Sequence, residues 1–134
     1  MNWKLIFQLS LLGLAMGVAT VFFIPSTIEP LFWLAIFATS AWVIAKRCPA
    51  RLFLHGFAVS MVNSVWITAS HLLLFCYYAA RHVDEVKMMM QTPLSPGLLM
   101  VVVVMPASGV GFGLVLGLFA VVAGRLVNGP AKAE

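Results

Sequence analysis

Apolar residues fall into four long runs along the chain, and polar residues gather between them. The first run, Leu5 to Ile24, is opened by Trp3 and Lys4 and closed by Pro25. As a helix it is long enough to cross a hydrocarbon core of about 30 Å. A basic start and the small residues Gly17, Val18 and Ala19 resemble a cleavable signal. The run continues through Val21, Phe22, Phe23 and Ile24, past the roughly 7–15 apolar residues of a signal core, so a retained span is expected.

The second run, Leu31 to Ala45, follows a turn bounded by Pro25 and Pro30 and carries Trp33 and Trp42 near its ends, where aromatic belts form. It is short for a bilayer, which places Ile28 and the prolines at the interface. The third run extends from Leu52 to Tyr78, and residues 79–91 contain no Gly or Pro to stop it. That pattern predicts a helix projecting into water until Thr92-Pro93 and Ser95-Pro96-Gly97 force a turn. The fourth run, Leu98 to Val122, has Pro106 in its interior and should bend there. Residues 125–134 read as a short, frayed polar tail. The expected fold is an all-α integral membrane protein: one four-helix transmembrane bundle over residues 1–134, with an extracytoplasmic helix and loop at about 79–97.

Composition excludes the alternative of a water-soluble domain. The 134 residues are 63% hydrophobic and 9% charged, against about 25% charged in ordinary soluble domains. Every charged residue lies in a tail or a connection. Lys4, Lys46, Arg47, Arg51, Arg125 and Lys132 fall on one side of the spans, Arg81 and Lys87 on the other. This bias predicts cytoplasmic termini, and the default membrane is a bacterial inner membrane. The net charge of +4 then reads as topology and attraction to anionic lipid; the lipid bilayer is the expected partner, and nucleic acid is not.

Two features of the runs suggest helix packing. Gly109, Gly113 and Gly117 recur at four-residue intervals on one helix face, a glycine-zipper pattern that lets another helix approach closely. Gly13 and Gly17 of the first span are the expected counterpart, with self-association into a homo-oligomer, or docking of another membrane protein, as the other use of such a face. In the third span, Ser60, Asn63, Ser64, Ser70, His71 and Tyr78 share one stripe, with His55 off it. Amide and imidazole groups leave hydrocarbon for protein or water, so this helix should sit at the centre of the bundle. The stripe reads either as interhelical hydrogen bonding or as a polar pathway with His71 as its titratable member.

Cofactor and catalytic chemistry find little support. His55 and His71 are too far apart along one helix to share a haem. His82 with Met88, Met89 and Met90 offers the donor types of a copper site, although consecutive methionines point to different helix faces. Cys48 and Cys76 cannot form a bridge if the segment between them is helical. No cofactor is expected. Glu29, Asp84, Glu85 and Glu134 all lie outside the spans, and Ser70 beside His71 is a weak nucleophile and base pair because adjacent positions diverge on a helix. The leading expectation is a non-enzymatic membrane-embedded subunit or assembly protein. Its rivals are an oligomeric transporter or channel for a small solute that uses the polar stripe, and a haem- or copper-binding membrane protein.

Overall fold

The computed structural model describes residues 1–129; Lys132 and Glu134, used above, lie outside the described residues. Within them the chain is helical without strands. The helices are α1 (Trp3–Phe22), α2 (Glu29–Arg47), α3 (Leu52–Leu73), α4 (Phe75–Arg81), α5 (Val83–Met90), α6 (Pro96–Leu99) and α7 (Met105–Asn128), with a π-helical turn at Met100–Val104 between the last two. Three helical runs are long and apolar enough to cross a membrane: Trp3–Phe22, Leu52–Leu73 and Pro96–Val127. The fourth long helix, α2, carries Glu29, Lys46 and Arg47 at its ends and Thr39 and Ser40 within, and is less apolar than the other three.

Local chemistry sets the helix ends. The Asn2 side chain accepts from the Leu5 N–H at 3.1 Å and caps α1. Pro25, which has no N–H to donate, follows the end of α1. In α2 the acid lies in the first turn and the two bases in the last, complementing the helix dipole. Pro106 withdraws one donor from the last span. The Met105 N–H reaches back to the Met100 carbonyl, so the helix widens into a π turn in place of a sharp break.

The third run is not one continuous helix. It breaks at Leu74 and again at His82, which takes φ −111° and ψ 53°. Neither residue is a helix breaker. The breaks let the Tyr78 ring lie between His71 and His82, a tertiary arrangement that local propensity does not report.

Helix α3 is the centre of the packing. It packs against both α1 and α7, and α2 packs mainly against α7 while also touching α1 and α3. The main core gathers Ile6, Ile44, Val59 and Leu116 from all four long helices. A second cluster of Val21, Tyr78, Val86 and Met100 lies at the end away from the basic loops. The outer faces expose Leu11, Val18, Leu118, Val122 and other large apolar side chains, as suits helices surrounded by lipid.

The five glycines singled out by spacing all face α3, so the glycines of the first and last spans do not meet. A Cβ at Gly13 would strike the Asn63 side chain, and one at Gly17 would lie 3.2 Å from the Ser70 hydroxyl. On the other side Gly109 faces Ser64, Gly113 faces the Phe57 ring and Gly117 faces the Phe53 ring. Gly56, which spacing did not mark as a packing glycine, makes the tightest backbone approach: a Cβ there would be 2.7 Å from the Leu116 carbonyl oxygen.

Candidate functional site

The polar stripe of α3 does not act as one unit. Ser64 and Ser70 donate to carbonyls of their own helix, from Met61 at 2.8 Å and Trp66 at 2.9 Å. Ser70 is thereby turned to the packing seam at Gly17 and forms no nucleophile and base pair with His71. Ser60 is buried. Asn63 is buried against Gly13, and neither its Nδ2 nor its Oδ1 has a hydrogen-bond partner among the described residues. Of the expected interhelical bonds, His71 supplies one. Another comes from a residue that the stripe omitted, Trp66, whose indole donates to Ser10 of α1 at 3.2 Å.

His71 and Tyr78 belong instead to a cluster at the end of the molecule away from the basic loops. Tyr78 stacks on His71 with ring centroids 4.4 Å apart, and on His82 at 4.5 Å. The Thr20 hydroxyl, in the last turn of α1, directs its hydrogen to the carbonyls of Met16 and Gly17. It therefore accepts from His71 Nε2 at 3.1 Å. The imidazole hydrogen then lies on Nε2, and Nδ1 is left as an acceptor on a ring that borders a cavity.

His82 is fixed from two directions. Its Nε2 donates to the Thr20 carbonyl at 3.1 Å, and its Nδ1 lies 3.0 Å from Ser26 Oγ and 3.5 Å from Glu85 Oε1. Ser26 in turn donates to Glu85 at 2.6 Å, a contact spanning 59 residues of sequence. These bonds tie α5 to the loop after α1. They also leave the sequence-derived copper donors apart: Met89 borders the cavity, while Met88 and Met90 are largely exposed on the surface.

The cavity beside this cluster is partly open and measures about 240 Å³. His71, Tyr78 and His82 form one wall, Glu29 and Glu85 supply carboxylates, and Trp33 and Phe112 form an aromatic wall. The latter two rings are stacked with centroids 6.0 Å apart, and the Trp33 indole donates to Glu29 at 3.0 Å. A groove of about 420 Å³ between α2 and α7 continues from the cavity, sharing Ser26, Glu29, Trp33 and Phe112 with it. A concave site with apolar walls and a few convergent polar groups is the usual form of a small-molecule pocket. Thr20, Ser26, Glu29, Glu85 and the pocket role of His82 were not legible as a site, because α1, the loop after it, α2, the α4–α5 junction and α5 contribute them from distant parts of the sequence.

Glu85 shows how the cluster holds its charge. The Ser26 hydroxyl, then its own backbone N–H, keep its carboxyl below the ordinary carboxylate value, with His82 adding to the effect. A depressed folded-state value means that the stabilisation is present above the unfolded value and is lost as pH falls through the folded one. Thermal unfolding of the protein and of Glu85→Gln should therefore differ at neutral pH and converge only once pH has fallen below the depressed folded-state value of the Glu85 carboxyl. A difference that persists in acid would contradict this placement of the charge.

No protein-family model, no curated protein and no solved structure matches the chain. Fold and site therefore stand on their own geometry.

Proposed function

We propose that the chain is a multi-pass protein of a bacterial inner membrane, with four spans and both termini cytoplasmic, and that its cavity beside His71 binds a small polar solute for transport. The single observation that supports this function is the partly open cavity of about 240 Å³ bordered by two histidines, two carboxylates and an aromatic wall. A purely structural polar stripe, as in the subunit or assembly reading, would consume its donors between helices and leave no such space. Titration of small polar solutes into the detergent-solubilised protein, followed through the ring protons of its three histidines, tests the reading.

The topology has its own test. Cys48 is buried, and burial pushes its thiol above the ordinary value, so failure to label it would carry no information on sidedness. Ala50 and Gln91 are exposed, and the proposed topology puts them on opposite sides of the membrane. In a background with Cys48→Ser and Cys76→Ser, a membrane-impermeant maleimide applied to intact cells should label Gln91→Cys and spare Ala50→Cys. The reverse pattern would overturn the orientation.

A further inference from the structure

The ionisable groups around the cavity and its groove are all acids, histidines or Tyr78. Among the described lining residues there is neither Lys nor Arg. Glu29 and Glu85 therefore set the sign of the charge that an occupant can balance, while the stacked rings of Trp33 and Phe112 give the lining an aromatic part suited to a cation with an apolar body. The groove extends the same chemistry outward through Leu34, Phe37, Val115 and Phe119.

Hydrogen accounting at Glu85, Ser26 and His82 adds a second constraint. The Nε2 hydrogen of His82 is committed to the Thr20 carbonyl, which can only accept. Ser26 Oγ lies 2.6 Å from Glu85 Oε1 and 3.0 Å from His82 Nδ1, yet it has one hydrogen to place on those two contacts. With that hydrogen directed to Glu85, the contact with Nδ1 requires a hydrogen on the ring. Both contacts are hydrogen bonds only where the three residues together hold one hydrogen more than a carboxylate, a hydroxyl and a neutral imidazole.

We propose that the cavity takes a small organic cation with an apolar or aromatic body, and that binding expels the proton shared by Glu85, Ser26 and His82. This inference rests on the pocket reading above and names its ligand class. As the cation approaches Glu85, the N–H bond at His82 Nδ1 breaks and the proton leaves to water. The Ser26 O–H then turns from Glu85 to the bare Nδ1, which frees Glu85 Oε1 for the cation. One positive charge enters and one leaves, so the site keeps its net charge. Other groups facing the triad are His71 of α3 and Tyr78 of α4, stacked beneath His82, and Glu29 of α2 across the cavity. Asp84 and Lys87 of α5 pair with each other at 3.9 Å on the exposed face.

The test is isothermal titration calorimetry of the detergent-solubilised protein with three probes of similar shape: phenyltrimethylammonium, neutral 2-phenyl-2-propanol and anionic benzenesulfonate. Titrations in two buffers of different ionisation heat count the protons released. The cation should bind about tenfold or more tightly than either other probe and release about one proton. Glu29→Gln should weaken binding about tenfold while keeping the proton release, whereas Glu85→Gln should weaken binding and abolish the release. Equal binding of the neutral or anionic probe would overturn the cation class while leaving the pocket reading intact. Cation binding without proton release would overturn the exchange. Failure of all three probes, with the histidine rings unmoved, would overturn the pocket reading as well.

Discussion

Gly56→Leu is expected to yield no folded protein that survives detergent extraction, whereas Gly111→Leu should extract and unfold much as the unaltered protein does. A Cβ at Gly56 would lie 2.7 Å from the Leu116 carbonyl oxygen and 2.9 Å from the Gly117 nitrogen and Cα. All three are backbone atoms of α7, so no side chain can turn aside and the two helices must separate. Overpacking of a close-packed interior costs roughly 1–3 kcal/mol even for small additions. A leucine here exceeds that, against a total stability of order 5–15 kcal/mol for a typical domain. Gly111 is exposed and has no atom within 4 Å of its Cβ position, so the same substitution there fills open space. Size-exclusion and thermal unfolding in detergent read the contrast. A Gly56→Leu protein as stable as its parent would mean that α3 and α7 do not cross at this point.

His82→Phe should release the arm formed by α5 and the following loop without unfolding the long helices. Phenylalanine keeps a ring stacked on Tyr78 but loses the bonds to the Thr20 carbonyl and to Ser26, and it leaves the carbonyl without its donor. Lost hydrogen bonds and an unpaired buried acceptor together amount to roughly 2–4 kcal/mol. Hydrogen exchange should accelerate at the amides of α5, where Val86 anchors a small cluster, and remain unchanged around Val59 in the main core. Unaltered protection in α5 would contradict the role given to His82.

The long helices were legible in the sequence because each rests on a signal that does not depend on its neighbours. An apolar run, a proline at its edge and charges at its ends are enough to define a span. The break at Leu74 was not legible, since nothing in Leu73-Leu74-Phe75 disfavours a helix; the stack of His71, Tyr78 and His82 is made across it. The glycines of α1 and α7 face α3 and not one another, and Gly56 stood outside any four-residue repeat of glycines.

The site was legible in part for the same reason. Spacing joined His71 and Tyr78 on one continuous helix, whereas their rings meet across the break at Leu74. Ser26 and Glu85 meet across 59 residues, and Thr20 and His71 across 51, so no local pattern could join them. His82 drew attention only as a copper donor beside the methionines, whereas its two ring nitrogens bind Thr20 and the Ser26 and Glu85 pair.

The proposed function requires that a solute occupy the cavity beside His71. Its most direct test is a histidine-ring NMR titration, because the three histidines divide between the two ends of the molecule. His71 and His82 border the cavity, while His55 accepts from the Asn2 N–H at 3.0 Å at the opposite end. Saturable binding of phenyltrimethylammonium should shift the ring signals of His71 and His82 together, with one dissociation constant, and leave His55 in place. Equal movement of all three rings, or movement of none with the cation, the neutral alcohol and the sulfonate alike, would contradict it.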